Sequence, residues 1–285
     1  MRKILIPLLA LASGAGASAL AAPLSIKVYN PQDKGIFAVS SSLITGPTEA
    51  MLIDSQFSVK DGAQLAEMIR ASGKKLKSVL ITSGDPDFYF GLEPVVKAFP
   101  GIQIFATPEV VKHIKETQEA KLAYWGPQLK DGAPAKVIVP QQTTRTHFYV
   151  DGEEVEIRSP ESHAAYVWVP SAKTILGGTG VSWGIHVWTA DTRTSQSRDE
   201  WIKTLSEMKA LAPARVIPGH YLGQLPHGAE AVTFTSEYLK AFNAAVKEQK
   251  NYAGVISTME KKWPDLKGKS SLELSAKVNT GEMKW

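Results

Sequence analysis

The sequence predicts an α/β fold with two β-sheets, each covered on its outer face by helices. Three observations predict it. The first half alternates short apolar strands with helices. The middle consists of strands joined by tight turns that leave no room for helices. Long helical stretches return near the end, so each half contributes β followed by α.

The chain has 285 residues, 44% hydrophobic and 21% charged, with no cysteine, which is ordinary globular composition. Its first residues, "MRKILIPLLALASGAGASALAAP", run from charged to apolar to small. This is the build of a secretory signal peptide, expected to be cut after Ala21, and its apolar run is too short to span a membrane comfortably. The expected organisation is a signal peptide at 1–21 and one domain at 22–285, periplasmic or secreted. The roughly 264 residues that remain are enough to fold without disulfides. Losing Arg2 and Lys3 takes the formal charge from +4 to about +2. The lysines form no stripe interleaved with aromatics, so nucleic acid is excluded as a partner and a small molecule is expected instead.

"LSIKVYN", "IFAVSSSLITG" and "EAMLIDS" read as strands. "DGAQLAEMIRASG" puts Leu65, Met68 and Ile69 on one helical face, with Gly73 as the stop. "LKSVLITS" is a strand, Leu92–Phe99 a helix and Gly101–Ala106 a further strand. Thr107 caps a helix with Pro108 in its first turn, which runs to Gly126. "PAKVIVP", "THFYVDGEEVEIRS" and "HAAYVWVPSAKTILGG" follow as strands. Helices are expected at 197–211 and 229–249, with the short strand "ARVIPG" between them. The last 35 or so residues read as one short helix before Pro264 and a polar, weakly β tail.

Five ionisable residues fall at strand ends: Asp54, Asp85, Asp87, His163 and His220. In α/β proteins ligands gather at the carboxyl ends of strands. Two carboxylates and two imidazoles (Asp85, Asp87, His163 and His220) suit one Zn²⁺, Fe²⁺ or Mn²⁺ ion, with Asp54 as an acceptor behind them. The plainer reading also stands: Asp85 and Asp87 cap a turn stiffened by Pro86, His163 is a structural or exposed residue at the head of a strand, and His220 belongs to a turn.

The order Asp54, "TSGDPDFYFG", His163, "GGTG" and "PGH" resembles the metallo-β-lactamase-fold hydrolase superfamily along nearly the whole mature chain. The resemblance implies an αββα sandwich of two mixed sheets. In that pattern the loop reads Thr-His-x-His-x-Asp-His and ends near a glycine. Thr82, Asp87 and Gly91 match, whereas Ser83, Asp85 and Phe88 stand at the three histidine positions. His163 and His220 match the two later histidines, and Thr179 replaces the metal-bridging aspartate. The ligand set is incomplete, so this is a divergent member and a dinuclear zinc site is not expected.

Three functional readings follow. A single displaced ion held by Asp85, Asp87, His163 and His220 would activate water against an ester, lactone, amide or related bond. A non-catalytic module would bind a small molecule or partner without metal. A metal-free enzyme would use Asp87 and His220 as an acid–base pair, with Tyr221 as a donor toward developing charge. Phe88, Trp183, His186 and Trp188 are candidate substrate contacts. "GVSWG" at Gly180–Gly184 has the letters G-x-S-x-G but sits in a glycine- and polar-rich stretch that opens no helix, so it does not read as a nucleophile elbow. No G-x-G-x-x-G loop follows a strand, and cysteine nucleophiles are excluded by composition.

Overall fold

The computed structural model describes residues 23–284, so the signal-peptide expectation lies outside the described residues. The first sheet holds six strands in chain order: β1 (Ser25–Tyr29), β2 (Ser41–Thr45), β3 (Glu49–Ile53), β4 (Lys75–Ile81), β5 (Gln103–Ala106) and β6 (Gln141–Gln142). β1, β2 and β3 are antiparallel neighbours, whereas β3 to β6 run parallel. Between them lie α1 (Val59–Ser72), the four-residue α2 (Pro86–Tyr89), α3 (Leu92–Ala98) and α4 (Pro108–Leu129).

The second sheet contains β7 (His147–Val150), β8 (Glu153–Arg158), β9 (Tyr166–Val169), β10 (Thr174–Leu176) and β12 (Arg215–Val216). Its first four strands form an antiparallel meander, and β12 joins β10 in parallel. A small ribbon pairs β11 (Ser182–Trp183) with β13 (His220–Tyr221). The second helical layer is α5 (Ser195–Ala210), α6 (Glu230–Glu248), α7 (Tyr252–Lys262) and α8 (Lys269–Asn279).

Three apolar layers hold these elements. Ile44, Met51, Ile53 and Leu80 of the first sheet meet Phe148, Val150, Val167 and Leu176 of the second. The other face of the first sheet packs on α1, α3 and α4 through residues such as Val79, Leu65, Val95 and Ile114. The other face of the second packs on α5–α8 through Trp168, Trp201, Phe242, Met259 and Leu272. Alternation along each strand therefore gives both sheets two apolar faces, and the product is an αββα sandwich. Among the described residues no helix is long and apolar enough to cross a membrane.

Local chemistry explains most boundaries. Ser58 caps α1 by accepting from Asp61 N–H, and Gly73 ends it in the left-handed region at φ 65°. Asp151 and Gly152, at φ 49° and 82°, make the tight turn between β7 and β8.

Three expectations fail. α4 continues past Gly126 to Leu129 and carries Pro127 in its last turn. Trp125 anchors that end, with ring centroids 5.3 Å from Phe37 and 5.5 Å from Phe57, while Tyr124 is exposed. "PAKVIVP" forms no strand; Val137, Ile138 and Val139 pack on the first core while only Gln141–Gln142 pair. The expected β tail is α8, whose Leu272, Ser275 and Ala276 recur at helical spacing and are buried.

Candidate functional site

The site forms where β4 ends. Ser83 and Gly84 lead to Asp85, and Pro86 opens α2, in which Asp87 lies in the first turn. Two backbone bonds clamp this loop to the turn after β3: Ser55 N–H donates to Phe88 O, and Gly91 N–H donates to Gln56 O. The approach is close enough that a Cβ on Gly91 would lie 2.0 Å from Ser55 O. Only glycine fits there, which is why the loop ends on one.

His220 arrives from the other half of the chain. Its strand bridges Val39, and Ser40 fixes the preceding turn by donating from N–H to Gly219 O and from Oγ to Pro218 O. A Cβ on Gly219 would meet Gly178 O at 2.0 Å, so the "PGH" and "GGTG" turns pack backbone to backbone.

These constraints bring His220 Nε2 to 2.6 Å from Asp87 Oδ2. The Asp87 side chain is 8% exposed and that of His220 is 20% exposed. The carboxylate accepts from Nε2–H, so Nδ1 is the nitrogen left to take a proton. Phe88, at the third histidine position, lies beneath the imidazole at 5.5 Å in an edge arrangement.

Asp54 lies behind the pair, fully buried and left-handed at φ 60°. It accepts from Thr82 N–H at 2.7 Å and pairs with Thr82 Oγ1 at 2.6 Å. Thr82 Oγ1 in turn accepts from Gly178 N–H at 2.7 Å. Burial pushes the Asp54 carboxyl up to about 8; the bonds from Thr82 oppose this and the Asp87 charge adds to it. Thr179 donates from Oγ1 to His163 O at 3.3 Å, tying the glycine turn to the histidine loop.

Asp85 turns to a different partner. Its Oδ1 lies 2.9 Å from Lys121 Nζ and 3.8 Å from His113 Nε2. Loss of water raises its pKa, but the Lys121 ammonium, with His113 and His163, outweighs that and holds the carboxyl below its ordinary range. His163 lies in the turn before β9, edge-on to Trp201 at 4.8 Å. Desolvation lowers its pKa against the pull of Asp85 and Asp191.

The four expected metal ligands therefore do not gather. Asp87 and His220 hold each other, Lys121 holds Asp85, and His163 packs on Trp201. Among the described residues no three His, Asp or Glu side chains could together hold a metal ion. The residues present do not fit the metal centre that the resemblance implies: Phe88 is apolar, and Thr179 spends its hydroxyl on a carbonyl.

Other expected contacts lie elsewhere. His186 is 1% exposed, with Nδ1 3.0 Å from the Tyr238 hydroxyl, so it belongs to the second core and cannot touch a substrate. Phe88 is fully buried and serves as floor rather than wall. Tyr221 follows His220 in a strand, so its side chain leaves on the opposite face. It aligns with Trp183, which packs on Phe234 of α6 at 5.6 Å. Neither ring is aimed at the Asp87–His220 pair. Trp188 is half-buried and donates from Nε1 to Asp191 Oδ2 at 2.5 Å.

Sequence reasoning missed Lys121 and His113. Both sit on α4, two helical turns apart, where a lysine reads as solvated surface. The available signal was the carboxylate pair itself, which requires a nearby cation. A surface groove of about 470 Å³ lined by Lys74–Lys77 and Ala98–Gln103 lies at the opposite end of β4, away from this chemistry.

Solved structures share the fold. VMB-1 superposes with a TM-score of 0.53 at 20% identity, covering 78% of this chain and 95% of that one. The metallo-beta-lactamase from Pontibacter korlensis gives 0.53 at 16%, covering 78% and 97%. The DIM-1 metallo-beta-lactamase gives 0.51 at 17%, covering 78% and 99%. No curated protein matches the chain. The Metallo-beta-lactamase superfamily model matches residues 35–220, from the loop before β2 to His220 itself. That match spans more than half of the chain and takes in Asp54, Asp87, His163 and His220, so the chain belongs to the metallo-beta-lactamase superfamily.

Proposed function

We propose that this protein is a hydrolase-like member of the superfamily whose cleft works through the Asp87–His220 pair on a small acyl substrate, an ester or lactone. The observation that carries this reading is the 2.6 Å contact between Asp87 Oδ2 and His220 Nε2. A buried carboxylate that accepts from one ring nitrogen fixes the tautomer and stabilises the imidazolium that forms. His220 Nδ1 would take a proton from water as the water oxygen bonds to the acyl carbon. The leaving oxygen then departs with a proton returned from the ring. Esters and lactones suit this pair because their leaving groups need less assistance than an amide nitrogen.

The loss of three family ligands (Ser83, Phe88 and Thr179) also supports the alternative of a binding module built on the same cleft. Export to the periplasm is part of the proposal, on the order of charges and apolar residues in the leader. N-terminal sequencing of exported protein is expected to begin near Ala22, and a sequence beginning at Met1 would refute export with cleavage. The functional test is turnover of an ester and lactone panel by the parent, Asp87→Asn and His220→Ala. Turnover by the parent and its loss in both folded variants supports the reading. Should a ligand raise the melting temperature of the parent alone, with no turnover, the binding module is correct.

A further inference from the structure

The loop after β4 does face a cation, and the chain supplies it. Lys121 Nζ lies 2.9 Å from Asp85 Oδ1, 2.9 Å from His113 Nε2 and 3.3 Å from Gly84 O. An ammonium carries three N–H groups, and three acceptors meet it here. His113 Nε2 accepts, which places that ring's hydrogen on Nδ1. Ser83 Oγ donates to the remaining carboxylate oxygen of Asp85 at 3.3 Å. The lysine side chain is 21% exposed and that of Asp85 34%, so the pair is better shielded from water than an ordinary surface ion pair.

Position adds meaning to this geometry. Asp85 stands where the family pattern has its second histidine, and Gly84 and Ser83 belong to the same loop. A carboxylate oxygen, an imidazole nitrogen and a carbonyl oxygen are donor types that serve a divalent ion as readily as an ammonium. A lysine occupying that set repels any second cation.

We propose that Lys121 is a built-in substitute for a divalent cation, and that removing it converts Asp85, His113 and the Gly84 carbonyl into a divalent-cation site. The inference rests on the contacts of Lys121, and it stands whether or not Asp87 and His220 are catalytic.

The test uses the mature full-length protein, untagged and stripped with chelator, and Zn²⁺ as the probe. Calorimetric titration compares the parent, Lys121→Met and the double variant Lys121→Met/Asp85→Asn, with thermal melting recorded with and without chelator. The parent is expected to melt at the same temperature in both conditions. Lys121→Met is expected to bind one Zn²⁺ at least tenfold more tightly than the parent, and Asp85→Asn should abolish the gain. If Lys121→Met fails to fold, Lys121→Gln, one atom shorter, keeps a polar end without the charge, and the same gain is expected. Equal zinc affinity in the parent and the folded Lys121 variants would overturn the proposal. Stoichiometric zinc binding by the parent, or a gain that survives Asp85→Asn, would overturn it as well.

Discussion

Asp87 Oδ2 and His220 Nε2 lie 2.6 Å apart although 133 residues separate them in the chain. One comes from a four-residue helix between β4 and β5 of the first sheet, the other from a two-residue strand in the second half. The turns that carry them are fixed by backbone contacts too close for any side chain, at Gly91 and at Gly219. The pair is thus positioned by main chain, and its geometry depends on those glycines.

Gly91→Ala tests that dependence. The new Cβ would lie 2.0 Å from Ser55 O, and backbone has to move to relieve it. A loss of roughly 1–3 kcal/mol is expected, lowering the melting temperature by about 2–4 °C per kcal/mol. Any turnover should fall further than the stability loss explains, because Asp87 moves with the loop. A variant as stable and active as the parent would show that the clamp does not hold.

Asp54 gives a prediction in pH. Its folded pKa, about 8, lies above the unfolded carboxylate value. A group raised on folding contributes stability that is fully present below the unfolded pKa and lost as pH rises through the folded one. Asp54 therefore costs stability progressively from about pH 4 to about pH 8. Asp54→Asn removes that cost while keeping size, so its melting temperature should gain on the parent's across this interval and level off above it. Parallel curves for the two proteins between pH 4 and 9 would show that Asp54 is ionised throughout.

How much of this was legible follows from the range of each interaction. Capping, tight turns and apolar alternation are local, and they place α1, β4 and β7–β8 correctly from the sequence alone. Asp87 and His220 were legible because a family pattern fixes both positions. Lys121 was not, since its partner Asp85 is 36 residues away and nothing local sets it apart from a surface lysine. Strand alternation, once the boundary of β13 is known, explains why Tyr221 misses the cleft. α8 was hidden by a polar sequence whose few apolar residues gain helical meaning only against α7 and the second core.

Arg198 tests the second helical layer. Its guanidinium is 2% exposed and binds Asn243, Asn279 and the Thr192 carbonyl, with its charge 5.4 Å from the Phe242 ring. It joins α5, α6 and the end of α8. Arg198→Met keeps volume but leaves those acceptors unpaired, and a loss of roughly 3 kcal/mol is expected from chemical denaturation. A loss under about 0.5 kcal/mol, the range of ordinary surface changes, would mean that the network is not holding these helices.

The most direct measurement of the central claim is steady-state turnover on an ester and lactone panel by chelator-stripped protein, comparing the parent with His220→Ala and Asp87→Asn at equal folded fraction. The stripped parent is expected to turn over at least one substrate, and His220→Ala to lower kcat about 10²-fold or more. Asp87→Asn should fall in the same direction, since it breaks the carboxylate's hold on Nε2. Turnover that vanishes on stripping and returns with added Zn²⁺, or that persists unchanged in folded His220→Ala, would contradict the central claim.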